Sequence, residues 1–393
     1  MKMDVLSFFE PYPLEKIKDL QKGDPTLIVN AHTHFAHYQK NWMDNTYQLA
    51  IIGVPEARNT VGNEGAIFAP DEIRKQFYKL YSWGTALSIV DLGNLKIGET
   101  CEDTYEILSE VLVFFIERDV VPIILGGGND LVFANYMAYQ KMEQVVNMVS
   151  VDSLFDLNPN APKMNSQSYL TSILLQEPSY LFNYAQVGYQ TYLNSPREVK
   201  EMESLFFETY RLGLIRQDME EVEPIVRNAD LLSIDISCVR KGDAPGHPHS
   251  SPHGFYGEEL CQIAMYAGVS DKLSSIGIYE FSPSLDYQDQ TSQLISHVIW
   301  YFIEGFRRRI GDTHFKEKDQ YLKYSVPVSG HVEDLVFFKS KRSGRWWVIV
   351  PVTSKQSQVV QKYYLPCSKR DYDMACKDVI SDRWWNAFKK FNR

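Results

Sequence analysis

The sequence predicts an α/β fold in which helices cover both faces of a parallel β-sheet. Short apolar runs alternate with longer amphipathic runs between residues 47 and 309, which is the pattern of repeated β–α units. Several apolar runs end in glycine, asparagine or aspartate, as strands do where the chain leaves a sheet. Ligands of such sheets bind beyond the carboxyl ends of the strands, so these ends are the first places to examine for function.

The first predicted strands and helices follow one another in chain order. Residues 47–55 form an apolar strand stopped by glycine and proline, and Asp71 and Glu72 open a helix because acidic residues favour a helix N-terminus. Residues 104–119 form a helix with one apolar stripe. Two more strands come from the runs ALSIVDLGNL and VVPIILGGGND. Residues 197–222 are predicted to form one charged helix.

The alternation continues through the second half of this region. The further predicted strands are residues 145–151 and the runs SYLFNYAQVGYQ, ADLLSIDIS and SSIGIYEFSP. The further predicted helices are LVFANYMAYQKM, YGEELCQIAMYAG and TSQLISHVIWYFIEGFRRR. The repeated order of strand and helix therefore extends over most of the chain.

Three segments are predicted along the chain. They are an N-terminal extension over residues 1–45, an α/β domain over residues 46–312, and a C-terminal addition over residues 313–393 that packs on the main domain. The addition contains a predicted β-hairpin with its turn at residues 341–344 and an amphipathic helix, SDRWWNAFKKF. Its many aromatic residues favour extra core, and a partner-docking surface is the alternative.

Composition excludes several classes of protein. The chain has 393 residues, 44% of them hydrophobic, a net charge of -10 and no long basic run, which argues against nucleic acid or an anionic membrane as a partner. Its 5 cysteines form no CxxC pair and are predicted to be free thiols in a reducing compartment. No secretory signal and no membrane span is apparent, so we expect a cytoplasmic protein.

The most informative strand end is the run VVNMVSVDSLFD. Asp152 and Asp156 follow its apolar part, and in an extended chain they would point to the same side as Leu154. The alternative is that the two aspartates only cap a turn. Asp235 and Glu280 end two further predicted strands, so these carboxylates are expected to meet at one edge of the sheet.

Two other patterns suggest ligand sites less strongly. His32, His34 and His37 have a spacing that can bring imidazoles to one metal ion, but no carboxylates accompany them, which favours a polar surface or interface segment. The glycines before Asn129 and Asp130 lack the following Gly-Lys-Ser/Thr of a phosphate loop and the spacing of a dinucleotide fingerprint. They indicate a tight turn between a strand and a helix.

Six segments, in order, resemble the ureohydrolase family of arginase, agmatinase and formimidoylglutamase: GVPEARNTVGNEGAIFAPDEIRK, LGGGND, SVDSLFD, SIDIS, GFYGEEL and IYEFSPSLDYQDQTSQL. The resemblance covers roughly residues 47–310. It implies a three-layer α/β/α fold with an eight-stranded parallel sheet and two Mn²⁺ ions held by LGGDH, DAHxD and SxDxD motifs. It also implies hydrolysis of a guanidino or formimino C–N bond by a metal-bridging hydroxide, a small amidine or guanidine ligand, and a closed homo-oligomer.

The chain departs from these motifs at half of the implied metal ligands. Asp152 and Asp156 match the aspartates of DAHxD, and Asp235 matches the first aspartate of SxDxD. The degenerate ligand positions are Asn129 in LGGDH, Leu154 in DAHxD and Ser237 in SxDxD. Two neighbouring cations need several anionic and imidazole ligands, so we expect either no metal or a single Mn²⁺ or Mg²⁺.

Two further groups bear on catalysis. Glu280 lies in the segment that resembles the family's EVNP, which implies a contact with substrate, and a capping glutamate is the alternative. With Asp156 it is the predicted catalytic pair. His247, His249 and His253 lie in the loop after the SxDxD-like segment and offer replacement ligands if that loop folds back. A loop interrupted by proline and glycine is a poor rigid donor, so this alternative is less favoured.

Two functions are compatible with these observations. The first is a ureohydrolase-fold protein that has largely lost its binuclear manganese centre, is catalytically impaired and binds a ligand or a partner. The second is an active C–N hydrolase, nearest to formimidoylglutamase or agmatinase, that acts on a linear amidine or guanidine with a reduced or rebuilt metal site. The missing histidines favour the first, and metal analysis with Mn²⁺ supplied distinguishes them.

Overall fold

A mostly parallel β-sheet forms the centre of the protein. The computed structural model describes residues 4–84, 86–312, 318–329, 333–353 and 360–392, and within them this sheet has ten strands. They are β1 (Phe9–Glu10), β2 (Thr33–Phe35), β3 (Leu49–Gly53), β4 (Ile89–Leu95), β5 (Val121–Leu125), β6 (Val146–Val151), β7 (Leu181–Tyr189), β8 (Glu208–Arg211), β9 (Leu231–Asp235) and β10 (Ser275–Tyr279). Their order is β1-β4-β3-β5-β10-β9-β6-β7-β8, with β2 also paired to β4. The strands β3 to β10 are parallel to one another and supply the eight strands that the resemblance implies.

Helices cover both faces of this sheet. They are α1 (Leu14–Gln21), α2 (Ile28–Ala31), α3 (Ala69–Phe77), α4 (Cys101–Ile116), α5 (Leu131–Lys141), α6 (Tyr169–Leu174), α7 (Pro196–Ser204), α8 (Leu212–Ile215), α9 (Val222–Arg227), α10 (Gly257–Val269) and α11 (Gln290–Phe306). Successive strand residues alternate between two cores, since Ile51 and Ile123 belong to one and Ile52 and Ile124 to the other. The predicted α/β fold with helices on both faces is confirmed.

Local sequence explains where the best-defined helices begin. The hydroxyl of Thr100 accepts a hydrogen bond of 3.1 Å from the backbone N–H of Asp103, whose carboxylate accepts one of 2.9 Å in return from the Thr100 N–H. Ser195 and Glu198 repeat this reciprocal cap at the start of α7. Because of its cap, α4 begins three residues before the predicted helix.

The prediction of a single charged helix over residues 197–222 is wrong. Helix α7 ends at Ser204, the chain turns at Phe206, whose φ is +55°, and the next residues form the edge strand β8 beside β7. Thr209 and Tyr210 suit a strand, and pairing with β7 outweighs the charge pattern that suggested a helix. The short helices α8 and α9 follow this strand.

The N-terminal segment is part of the central sheet. Strand β1 pairs antiparallel with β4, and β2 pairs parallel with it on the same edge. His32 and Trp42 are buried, so the prediction of a polar surface around the first histidines is wrong, and an interface there stays a prediction. The aromatic residues there pack on the sheet, which the sequence pattern did not indicate. The division of the chain at residues 45 and 312 stays a prediction.

A second, antiparallel sheet follows the central one. It consists of β11 (Tyr321–Val326), β12 (Leu335–Ser340), β13 (Trp346–Thr353) and β14 (Val360–Cys367), paired in that order, and α12 (Lys369–Ala375) and α13 (Asp382–Phe391) follow it. The predicted hairpin turn over residues 341–344 joins β12 to β13. Helix α13 matches the predicted amphipathic helix, with Trp384 buried and stacked 5.1 Å from Phe388.

Polar and aromatic contacts connect this small sheet to the α/β region. The buried guanidinium of Arg227, at the end of α9, donates hydrogen bonds to the carbonyl oxygens of Trp346 (3.0 Å) and Cys367 (3.1 Å) and lies 4.4 Å from the Trp347 ring. The hydroxyl of Tyr363 donates to Asn228. The backbone of the small sheet thus accepts hydrogen bonds from a charged side chain that is buried at this junction.

Two further predictions concern the whole chain. All five cysteines are free thiols, as predicted. Among the described residues, no helix combines the length and the apolar composition that a membrane span requires.

Candidate functional site

Four adjacent strands bring their carboxyl ends together at one edge of the sheet. The strands lie in the order β5-β10-β9-β6, and the residues that follow or end them are Asn129, Glu280, Asp235 and Asp152. With Asp156, these residues form what we call the strand-end cluster. All five are buried, with exposed fractions from 0% to 7%. The sheet therefore places the predicted site residues in one buried region, and the catalytic and metal-binding roles assigned to them stay predictions.

Asn129 connects the members of this cluster. Its side-chain amide donates hydrogen bonds to Asp156 Oδ2 (2.8 Å) and to Asp152 Oδ2 (3.3 Å), and its amide oxygen accepts one from Ser233 Oγ (3.3 Å). Its backbone N–H donates to Glu280 Oε1 at 2.9 Å. An uncharged amide thus contacts two carboxylates at the position where the resemblance implies a metal-binding imidazole.

A turn, not an extended strand, brings Asp152 and Asp156 together. Strand β6 ends at Val151, Asp152 Oδ1 accepts a hydrogen bond of 2.9 Å from the N–H of Leu154, and Asp156 has a φ of +50°. The extended geometry predicted for residues 152–156 is therefore wrong, because a side chain that bonds the backbone two residues on favours a turn. The two carboxyl groups contact each other, and Leu154 is half-buried.

Among the described residues, no lysine or arginine pairs with the three aspartates of the cluster. Burial raises the pKa of Asp152 and Asp156 well above the usual range, and the charge of Asp235 raises both further. Burial also raises the pKa of Asp235 to about 6, against the opposing effect of His247. Asp235 Oδ1 accepts a hydrogen bond of 2.7 Å from the N–H of Ser237. At neutral pH the raised pKa values of Asp152 and Asp156 therefore favour binding of protons or of another cation.

Glu280 is held by donors from several parts of the chain. Asn63 Nδ2 donates to its backbone oxygen (2.9 Å) and to Oε2 (2.7 Å), while the Glu280 N–H donates to the carbonyl of Gly127 at 2.8 Å. Burial would raise the pKa of Glu280, but His247, Asn63 and the N–H of Asn129 outweigh burial and lower it. The φ of Glu280 is +65°, an uncommon conformation for a residue with a side chain. Glu280 is thus an ionised carboxylate in a fixed position.

Of the three histidines in the loop before α10, His247 reaches the cluster. It is 6% exposed, and its Nε2 lies 3.7 Å from Glu280 Oε2. His249 is exposed, with its Nε2 3.3 Å from the carbonyl of Val61, and His253 is exposed as well. The loop does fold back over the strand ends, although its proline and glycine content argued against a rigid position.

Sequence reasoning missed two residues near the site. Asn63 contacts Glu280 across 217 residues of chain, and the glycine-bearing loop after β3 gave no signal for this contact. Burial raises the pKa of Asp130 to about 7, and the hydroxyl of Tyr105 donates to its carboxylate. Asp130 was interpreted only as part of a turn, because its neighbour in the LGGDH-like segment carried the resemblance.

The residues present do not fit a binuclear metal centre. Within the described parts of the chain, no three or more His, Cys, Asp or Glu side chains are arranged to hold a metal ion. The amide of Asn129 uses carboxylate oxygens that a cation would need, and Leu154 has no donor atom. The Nδ1 lone pair of His247 is used by the N–H of His249 at 3.1 Å. The single-cation site predicted from Asp152, Asp156 and Asp235 stays a prediction.

Comparison with known proteins gives consistent results. The model of the Arginase family matches residues 47–304. The formimidoylglutamase of Bacillus subtilis (strain 168) is 24% identical over 277 residues, which cover 66% of this chain and 87% of that protein. The crystal structure of Trypanosoma cruzi formiminoglutamase with two Mn²⁺ ions aligns with a TM-score of 0.64 and 19% identity, covering 70% of this chain and 97% of that chain.

The crystal structure of the Bacillus subtilis formimidoylglutamase aligns with a TM-score of 0.63 and 23% identity, covering 71% of this chain and 91% of that chain. At these identities the structural matches show a shared fold. The family model covers well over half of the chain, from the first central strand of the α/β region to helix α11. The chain therefore belongs to the arginase family.

Proposed function

We propose that this protein binds a small amidine or guanidine ligand at the strand-end cluster and does not carry out two-metal hydrolysis. The observation that supports this is the position of the Asn129 amide, which donates to both Asp152 and Asp156. An internal hydrogen-bond donor occupies the carboxylate oxygens that would otherwise coordinate a cation. On this proposal, the protein retains the residues of an arginase-family site that bind the ligand, and its catalytic residues are impaired.

The chemistry of the remaining residues supports binding more than hydrolysis. Hydrolysis of an amidine at neutral pH needs an activated water, and two cations acting together lower the pKa of such a water most effectively. Glu280 is ionised, and a carboxylate is the usual partner of a planar N–H donor such as an amidinium. Asp156 is buried and bonded to Asn129, so it is less available as a base.

An active C–N hydrolase with a reduced metal site is the second candidate. The observation that favours it is the accumulation of Asp152, Asp156 and Asp235 without a compensating cation, which gives all three raised pKa values. One Mn²⁺ or Mg²⁺ would relieve this repulsion if Asn129 turned away. Its relatives include formimidoylglutamases, whose name defines the substrate class to test first.

Elemental analysis and an activity assay test the proposal together. The protein is purified with Mn²⁺ supplied throughout, its metal content is measured, and hydrolysis of formimidoylglutamate and agmatine is followed. We expect well under two equivalents of Mn²⁺ and no metal-dependent turnover. Two equivalents with turnover would overturn the proposal, and one equivalent with turnover would establish the second candidate.

A repaired variant provides the matched comparison. Asn129→His, Leu154→His and Ser237→Asp together restore the donors of the family motifs, so this variant should bind Mn²⁺ and gain thermal stability from it. A ligand at 100 times its Kd adds about 2.7 kcal/mol to the free energy of unfolding. The parent should change little, and equal stabilisation of both would mean that the parent already binds metal.

The single substitution Leu154→His is the control for the repaired variant. It adds an imidazole beside the aspartates without the other restored ligands, and an unpaired polar group in a half-buried place costs about 1–3 kcal/mol. We expect the control to lose stability in the absence of metal and to regain less of it with Mn²⁺ than the repaired variant.

A further inference from the structure

The imidazole of His247 is held against Glu280 by contacts of the neighbouring backbone. The N–H of Gly246 donates to the hydroxyl of Thr291 at 2.8 Å, and the carbonyl of Gly246 accepts from the N–H of Ser282, also at 2.8 Å. A Cβ atom at Gly246 would lie 2.8 Å from the ring of Phe281, so only glycine permits this close approach. The backbone at residue 246 is therefore fixed, and only a side-chain rotation moves the imidazole far from Glu280.

The hydrogen bonds of His247 determine which ring nitrogen carries the proton. Its Nδ1 accepts the N–H of His249 at 3.1 Å, so the neutral ring carries its hydrogen on Nε2. That nitrogen lies 3.7 Å from Glu280 Oε2. The ring thus presents an N–H group to the carboxylate, at a distance longer than that of a normal hydrogen bond. Neither nitrogen offers a lone pair to a metal ion.

The donors around Glu280 show which acceptor positions of its carboxylate would become free if His247 were removed. A carboxylate has about four acceptor positions, two on each oxygen. Asn63 uses one on Oε2 and the N–H of Asn129 uses one on Oε1. His247 faces the second position on Oε2. As far as the described residues go, one acceptor position on each oxygen is free without the imidazole. That arrangement binds two parallel N–H groups of one planar cation.

We propose that His247 occupies the amidine subsite of this protein, and that a ligand binds Glu280 by displacing its imidazole. The N–C–N unit of the ring is itself a cyclic amidine, and it presents the same kind of N–H to the same carboxylate. The ligand class is a small planar amidinium or guanidinium with two N–H groups on one side. This inference rests on the proposed function, because it assumes that Glu280 binds a ligand.

Removal of the His247 imidazole should raise the affinity of the protein for an amidinium. When a resident side chain must leave, the apparent affinity is the intrinsic affinity multiplied by the fraction of time that the subsite is open. His247→Ala should therefore bind formamidinium with a Kd at least about tenfold lower than the parent protein does, measured by titration calorimetry. His247→Gln keeps an N–H donor of similar reach and should resemble the parent. His253→Ala, in the exposed part of the same loop, is the control for effects on the loop.

The titrations are made with a chelator present, so metal binding does not contribute to them. Equal affinities of the alanine variant, the glutamine variant and the parent would overturn the inference. If the alanine variant folds only with added imidazole, the proposal is supported, and failure to fold even in imidazole counts against it. The proposed function fails separately, through metal content and turnover, and neither of those readouts enters this experiment.

The parent protein offers an independent measurement. Formamidinium added to the parent should shift the ring resonance of His247 in an NMR spectrum and leave that of His253 unchanged. Urea, which has a similar planar shape but no charge, should shift neither at the same concentration. Binding of formamidinium without a shift of the His247 resonance would show that the ligand sits elsewhere.

Discussion

Two buried carboxylate sites in this protein have opposite electrostatic surroundings. Asp91, on β4, is paired with Arg74 through two hydrogen bonds of 2.8 and 3.0 Å, and it also accepts from the hydroxyl of Tyr78 and the N–H of Gly93. The side chains of Arg74 and Asp91 are fully buried. A buried carboxylate with a paired cation and several donors has its desolvation offset.

In the described part of the chain, no lysine or arginine pairs with the strand-end cluster, and His247 lies 3.7 Å from Glu280. Asp152 and Asp156 share the neutral amide of Asn129, and their pKa values are raised by burial and by Asp235. The same fold therefore neutralises a structural carboxylate and leaves the carboxylates at the strand ends uncompensated. Ionisable groups kept in this state are typical of sites that bind a charged ligand. An Asp→Asn substitution at each of the two sites measures this difference in charge compensation.

The largest expected effect is that of Asp91→Asn. The substitution keeps the shape of the side chain but removes the carboxylate that is hydrogen-bonded to buried Arg74, and the carboxylate of Asp71 remains only at 3.8 Å. Breaking a buried ion pair destabilises proteins by about 3–5 kcal/mol. Urea unfolding at pH 7 measures the loss. Asp19→Asn, in an exposed ion pair with Lys22, is the control and should cause no measurable change. A loss no larger than that of the control would show that Arg74 is satisfied without Asp91.

An intermediate effect concerns pH. The folded-state pKa of Asp235 is about 6, above its usual value of 3.8, so between these values the folded state binds the proton more tightly than the unfolded chain does. The free energy of unfolding should therefore fall as pH rises from about 4 to 6. The contribution of Asp235 is of the order of 1–3 kcal/mol, because one unit of pKa corresponds to about 1.4 kcal/mol.

Substitution separates this contribution from other titrations. Asp235→Asn removes the titrating group, so its stability should fall less over this pH range than that of the parent. Asp243 is the matched control, because Arg240 and the N–H of Gly257 outweigh burial and lower its pKa, which gives the opposite sign. Urea unfolding at several pH values measures both. Identical pH dependence of the parent and Asp235→Asn would contradict the raised pKa.

The sequence predicted the central strands of the sheet better than the edge strands. Central strands such as β3 and β5 are nearly continuous apolar runs because both faces are covered, so they are recognisable without knowledge of their neighbours. Edge strands lack that signal. Strand β8 is short, half-buried and charged, and it is a strand because β7 is beside it. Strands β1 and β2 likewise depend on β4, which follows them by more than 50 residues.

The site was predictable to the extent that strand order determines it. The carboxyl ends of adjacent parallel strands must meet, so Asp152, Asp235 and Glu280 were expected in one region. The hydrogen bonds between them were not predictable, because they depend on turns and on loops distant in sequence. Asn129 was recognised as a lost metal ligand, but its role as a donor to two carboxylates follows only from side-chain geometry.

The smallest expected effect is that of Asp156→Asn, the counterpart of Asp91→Asn in the other group. The new amide oxygen can still accept from Asn129, and the substitution removes a carboxyl group whose ionisation is opposed by burial and by Asp235. At pH 7 the variant should be as stable as the parent or more stable by about 1 kcal/mol, the net value of one ordinary hydrogen bond. Any gain should increase with pH, since the parent's Asp156 must ionise against its neighbours. Urea unfolding at pH 7 and 8 measures this, and a loss as large as that of Asp91→Asn would mean that the Asp156 charge is compensated.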